Sequence, residues 1–112
     1  MIKPKSLVDN AQLPAAAAAQ YTADASLVAA LIKRATFTNT DSSARTFSIW
    51  IVPSGGSRAN SNLIIDDRSV AVDETVDSTE LINHVLEGGD SIHAVASAAT
   101  AITVKISGFE QT

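Results

Sequence analysis

Apolar and polar residues alternate along several short segments of the chain, and the clearest alternation surrounds its single tryptophan. Phe47, Ile49 and Ile51 occupy one set of alternate positions. Trp50 and Val52 occupy the other set. Because successive residues of a β-strand point to opposite sides of a sheet, this pattern predicts a strand whose first face packs on a core. The proline and two glycines that follow predict a turn.

Similar alternation predicts further strands over residues 31–39 and 102–107. A polar turn at residues 40–44 predicts that residues 31–39 and 45–53 form an antiparallel hairpin. A Gly-Gly-Asp turn leads into another apolar segment at residues 91–96. Strands about ten residues apart, with turns and no long helix between them, predict an all-β fold. We expect an antiparallel β-sandwich resembling a jelly roll.

Two stretches leave their local structure open. Asp24 can cap a single helical turn over residues 25–29, but β-pairing suits the same residues equally well. Residues 80–86 show helical spacing of Leu81 and Val85, which fits either one or two helical turns or an irregular strand.

The first 19 residues differ in character from the rest. Pro4 and Pro14 interrupt regular pairing, and residues 15–19 are five alanines, too few for a stable isolated helix. This composition predicts an extended N-terminal arm at residues 1–19, ordered mainly by a neighbour, followed by a single sandwich domain at residues 20–112. The alternative is a loose tail.

Charge and composition exclude several classes of function. The chain of 112 residues has a net charge of −4 and lacks cysteine, which rules out disulfides and thiolate metal sites. No basic stripe is present, so direct nucleic-acid binding is not expected. No apolar run is long enough to span a membrane, and no signal peptide is readable. We therefore expect a protein that is assembled in a cytoplasm and does not bind membranes.

The polar residues do not predict an active site. His84 and His93 match no metal-ligand spacing, and neighbouring acids on a strand point to opposite faces. The serines lie in no nucleophile motif, and the glycine loop lacks the lysine of a phosphate loop. We predict no enzyme activity, no metal and no cofactor. Trp50 is more informative, because an outward tryptophan on a central strand needs a cover, either the chain's own arm or another subunit. The alternative places Trp50 in the core of a sheet that is covered on both sides.

These considerations predict a protein interface that combines the arm with the outward face of the central strand. Its candidate residues are Leu13, Pro14, Tyr21, Trp50 and Val52.

An ordered set of short matches between residues 20 and 110 resembles a family of short structural proteins of tailed bacteriophages and prophages. The matching residues are Tyr21-Thr22, Asn39, Val52-Pro-Ser-Gly-Gly-Ser57, Asn62-Leu-Ile64, Asp73-Glu-Thr75, Leu81, His84-Val-Leu86, Gly89-Asp90-Ser-Ile92, Ala94 and Ser107-Gly108.

The resemblance implies a virion component that acts in multiple copies, most simply a capsid decoration (cement) protein on the head shell. Its expected partners are the major capsid protein, or other virion proteins, and further copies of itself, with a trimer favoured. We expect the sheet face that carries Trp50 to join the copies and the arm at residues 1–19 to grip the shell. A position in the tail, neck or baseplate is the alternative within this class. A carbohydrate- or receptor-binding module is the alternative of another class, although the chain has few aromatic residues for a sugar site.

Overall fold

The computed structural model describes all 112 residues and contains nine β-strands and one short 3-10 turn at Asn60–Asn62. The strands are β1 (Ile2–Gln12), β2 (Ala18–Thr22), β3 (Ala29–Asn39), β4 (Arg45–Val52), β5 (Leu63–Val70), β6 (Thr75–Asp77), β7 (Val85–Glu87), β8 (Ser91–Ala96) and β9 (Ile102–Gln111). No helix in the chain is long and apolar enough to cross a membrane.

The strands form two antiparallel sheets that pack face to face, which confirms the predicted all-β sandwich. Sheet A has the order β1-β9-β3-β6, and the short β7 pairs with β3 on the same side as β6. Sheet B has the order β2-β8-β4-β5. The pairing is nested, because early strands pair with late ones: β1 with β9, β2 with β8, and β3 with β6 and β7, while β4 and β5 are adjacent.

One core lies between the sheets. Phe37 of β3 stacks on Phe47 of β4, with ring centroids 4.1 Å apart and ring planes inclined by 19°. Both rings are fully buried and belong to a single cluster of buried apolar residues. Since the two rings come from different sheets, this stack joins the layers at the centre of the sandwich.

The N-terminal segment is part of the domain, contrary to the predicted arm. Strand β1 pairs with β9 along most of its length, and the side chains of Leu7, Val8 and Leu13 are buried in the core. The segment is extended, as expected, but a strand of the same chain orders it. A bulge at Leu7 explains why the sequence pattern concealed this role, because the extra residue turns both Leu7 and Val8 inward.

The predicted hairpin between residues 31–39 and 45–53 is also wrong. Both segments are strands, but β3 belongs to sheet A and β4 to sheet B, so the turn between them crosses from one layer to the other. Asn39 organises this crossing from a fully buried position. Its side-chain amide donates to the carbonyls of Ser43 and Val70 at 2.9 and 3.0 Å, and its oxygen accepts from the N–H of Asp41 at 2.9 Å.

The two ambiguous stretches are resolved as turns and short strands. Asp24 accepts a hydrogen bond from the N–H of Ser26 at 2.8 Å and so closes a tight turn before β3. The stretch after β6 is a turn whose Leu81 is completely buried, and it ends in β7. This turn lies beside a bulge at Lys33 in β3, and backbone hydrogen bonds at Ile32 join the turn to that strand.

Candidate interaction surfaces

The outer face of sheet B carries the tryptophan singled out from the sequence. Trp50 pairs with His93 of β8 on one side and with Leu63 of β5 on the other. Its neighbour Ile49 lies in the core, whereas Trp50 is half-buried and outside the core cluster. The indole therefore points outward, as the alternation predicts. We call the row formed by Trp50, His93 and Leu63 the tryptophan row.

A polar network fixes the imidazole of this row. The Arg58 guanidinium donates to Nδ1 of His93 at 2.7 Å, and Nε2 of His93 lies 2.9 Å from the Ser91 hydroxyl. Arginine stays protonated, so Nδ1 must be the acceptor, and Nε2 carries the proton that it donates to Ser91. Burial, and then the positive charge of Arg58, lower the pKa of His93 from its usual value of 6.5. His93 is thus held neutral in one tautomer.

The structure distributes the five predicted interface residues unevenly. Leu13 and Val52 are buried within the chain, with 1% and 2% of their surface exposed, and Tyr21 is buried as well. Pro14 and Trp50 are half-buried. A partner could therefore reach only Pro14 and Trp50 without unfolding part of the sandwich, and the interface prediction stands for these two residues alone.

Tyr21 instead connects the two sheets. Its phenol donates a hydrogen bond of 2.5 Å to the Glu110 carboxylate of β9, and the Lys5 ammonium lies 3.3 Å from the same carboxylate. Burial is the main cause that raises the pKa of Tyr21 above its usual value of 10, and the hydrogen bond to Glu110 adds to it. Tyr21 is therefore a structural link from β2 in sheet B to β9 in sheet A.

A second surface lies on the outer face of sheet A. There β1, β9, β3 and β7 carry apolar side chains at one end of the sheet. We call this set the apolar patch, and its members are Ile2, Pro4, Ala29, Leu31, Val85 and Phe109. Five of the six, with Gln111, line a shallow depression of about 500 Å³. Ile2 and Val85 are 62% and 55% exposed, so the patch is open to solvent.

The other end of the same face is polar. Arg34 pairs with Asp77 at 3.2 Å, and Lys105 pairs with Asp9 at 3.0 Å. The hydroxyl groups of Thr38 and Thr75 lie 2.9 Å apart on neighbouring strands. The face is thus divided into a polar half, in which Arg34 and Lys105 are paired within the chain, and an apolar half without a cover.

The apolar patch was missed from the sequence, although one signal for it is present. In β9 the inward residues are Ile102, Val104 and Ile106, so Phe109 falls on the outward positions. When the partner strands are unknown, an apolar residue this close to the end of the chain gives no sign that it belongs to a surface patch. The bulge at Lys33 hides Leu31 in the same way, because it reverses the alternation along β3.

No group of three or more histidine, aspartate or glutamate side chains is placed to hold a metal ion. Comparison of the chain with protein-family models, with curated proteins and with solved structures finds no match.

Proposed function

We propose that the chain is a structural protein of a tailed-bacteriophage virion, and specifically a decoration (cement) protein that binds and stabilises the head shell as an oligomer. The resemblance described above motivates this proposal. The observation that carries it is the presence of two separate outward surfaces, the tryptophan row on sheet B and the apolar patch on sheet A. A protein that both associates with its own copies and binds a shell needs two such surfaces.

Neither surface is required to complete the core. The Phe37–Phe47 stack and the surrounding cluster already fill the space between the sheets. Exposed apolar patches on the outside of a completed fold are typical of protein contact sites. In this proposal one face contacts the major capsid protein and the other contacts a further copy, and many weak contacts per particle add up through multivalency.

The location follows from the same proposal. The chain is assembled in the cytoplasm of the host bacterium and ends in the virion, without direct contact to nucleic acid or membrane. The N-terminal segment has no gripping role in this account, because β1 is paired with β9. We therefore reassign the outward indole of Trp50 from the contact between copies to the shell contact.

We also propose that the sandwich is a jelly roll. The strand pairing supports this proposal, because the pairs are nested from the chain ends towards the middle and divided between two sheets. Small jelly rolls suit a particle component, since their two flat faces can both be used for contacts.

A binding assay with particles tests the functional proposal. Purified protein is mixed with phage particles that lack it, and the heads and tails are separated by sedimentation. We expect the protein to sediment with heads and to raise the temperature at which they release DNA. Trp50→Ser should weaken this binding, whereas Val72→Ser, at an exposed apolar residue outside both surfaces, should not.

Other outcomes of this assay contradict the proposal. Binding to tails alone would place the protein in the tail, neck or baseplate. Failure to bind any particle fraction, together with specific binding on a glycan array, would favour the carbohydrate-binding alternative, for which the indole of Trp50 beside Arg58 and His93 is the candidate site.

A further inference from the structure

The apolar patch has an order that the pairing of its strands reveals. Residues directly opposite each other on neighbouring strands share a face, so the outer face of sheet A consists of levels that run across the strands. One level contains Ile2, Gln111, Ala29 and Glu87. The next contains Pro4, Phe109, Leu31 and Val85. A third contains Ser6, Ser107 and Arg34, with the bulged Lys33 and Asn83 beside them.

We propose that the apolar patch is a two-fold symmetric contact between two copies of this chain. The inference rests on the oligomeric part of the proposed function and assigns a surface to it, with a dimer in place of the trimer that the resemblance favours. The two-fold axis runs across the strands through the level of Phe109 and Leu31. This level then faces its own copy, so that apolar side chains meet apolar side chains. The first level of one copy faces the third level of the other.

Charge complementarity identifies the second copy as the occupant. Glu87 lies in the first level, is exposed and forms no ion pair within the chain. Lys33 lies at the third level, near the same edge of the sheet as Glu87. Its ammonium contacts only the Asn83 amide oxygen, at 3.3 Å. The proposed axis brings Glu87 of each copy opposite Lys33 of the other. The contact therefore contains two symmetry-related ion pairs, each between Glu87 of one copy and Lys33 of the other.

The combined area of the three levels, of which the apolar patch occupies two, sets the strength of the contact. Four strands about 4.8 Å apart, and three levels covering roughly 20 Å along the strands, give a footprint of about 400 Å² per copy. Two copies would bury on the order of 800 Å², below the roughly 1,200 Å² of stable specific interfaces. The dimer should therefore be weak in solution, with a dissociation constant in the micromolar range or above, and should form where copies are concentrated, as on a shell.

Sedimentation equilibrium of the full chain over a wide concentration range tests the proposal. We expect a reversible monomer–dimer equilibrium. Val85→Asp should weaken it by about tenfold or more, because the contact would bury an unpaired carboxylate. Val72→Asp is the matched control, because it adds the same charge at an exposed valine outside the patch, and it should leave the dimer unchanged. A monomer at every concentration, a trimer, or a dimer that tolerates Val85→Asp would overturn the proposal.

A charge exchange tests the two-fold arrangement itself. Glu87→Lys and Lys33→Glu should each weaken the dimer severalfold at low salt, since each places like charges opposite one another. The double variant should restore association, because the pairs re-form with reversed signs. Circular dichroism checks that each variant is folded. Weakening that the double variant does not reverse would rule out this arrangement. Particle binding is measured separately, so a failed shell contact and a failed dimer can be told apart.

Discussion

The role of the first strand provides the sharpest quantitative prediction. Leu7 is 6% exposed and packs in the core, whereas Ile2, on the same strand, is 62% exposed. Leu7→Ala should lower the free energy of unfolding by about 2–5 kcal/mol, because it removes buried methyl groups and leaves a cavity. Ile2→Ala should change it by less than about 0.5 kcal/mol, as exposed positions usually do. In a domain of this size the first change should lower the melting temperature by roughly 10–20 °C.

Urea unfolding monitored by tryptophan fluorescence measures this difference. Trp50 is the only tryptophan and lies on β4 of the opposite sheet, so its signal reports whether loss of the β1 contact is felt across the sandwich. Measurements at low protein concentration keep Ile2 free of any dimer contact. Equal midpoints for Leu7→Ala and Ile2→Ala would show that the first strand is a detached arm, and would refute the reasoning.

Three further predictions concern the core, a close backbone approach and pH. Phe47→Ala should lower the free energy of unfolding by about 3–5 kcal/mol, because it removes one ring of the central stack. Thermal unfolding measures this loss, and a small loss would contradict the central position of the stack. Gly108→Ala should lower the free energy of unfolding by about 1–3 kcal/mol or more in the same assay, because the new methyl group would collide with the backbone carbonyl of Leu31. An unchanged stability would contradict this close approach of the two strands. Because the pKa of His93 is lowered in the folded chain, the unfolded chain binds a proton more readily than the folded one. Stability should therefore fall as the pH drops below about 6.5, and it should level off once the pH is below the pKa of His93 in the folded chain. His93→Gln should flatten this part of the stability profile, and identical profiles for the two proteins would show that folding does not lower the pKa of His93.

Alternation along the chain was sufficient to predict the strands at residues 31–39, 45–53, 91–96 and 102–107, although it did not reveal β1. Residues 91–96 and 102–107 lie within β8 and β9, and Phe47 and Ile49 point into the core as expected. The hydrophobic effect acts on single side chains, so its imprint is readable along one strand without knowledge of the partner.

Alternation alone could not predict which sheet a strand joins. The turn at residues 40–44 has the composition of a hairpin turn, yet it crosses between the layers. The side-chain amide of Asn39, which precedes the turn, holds it there by donating to the carbonyl of Val70 in β5. That partner is 31 residues away, so no local rule could include it. The bulges at Leu7 and Lys33 have the same origin, since a bulge depends on the register with the neighbouring strand.

The candidate surfaces were predictable to different degrees. The outward direction of Trp50 follows from its own strand. The apolar patch requires four strands to be placed side by side before Ile2, Leu31, Val85 and Phe109 become neighbours. Buried Leu13 and Val52 show the opposite difficulty, because apolar residues outside the alternating core positions resemble interface residues until the rest of the chain covers them.

A cryo-electron microscopy map of phage particles that carry this chain tests the central claim most directly. We predict density for the two-sheet sandwich on the outside of the head, with Trp50 against the shell and Leu31 and Phe109 covered by a second copy. Heads without such density, or sandwiches whose two outer faces are both open to solvent, would contradict the account.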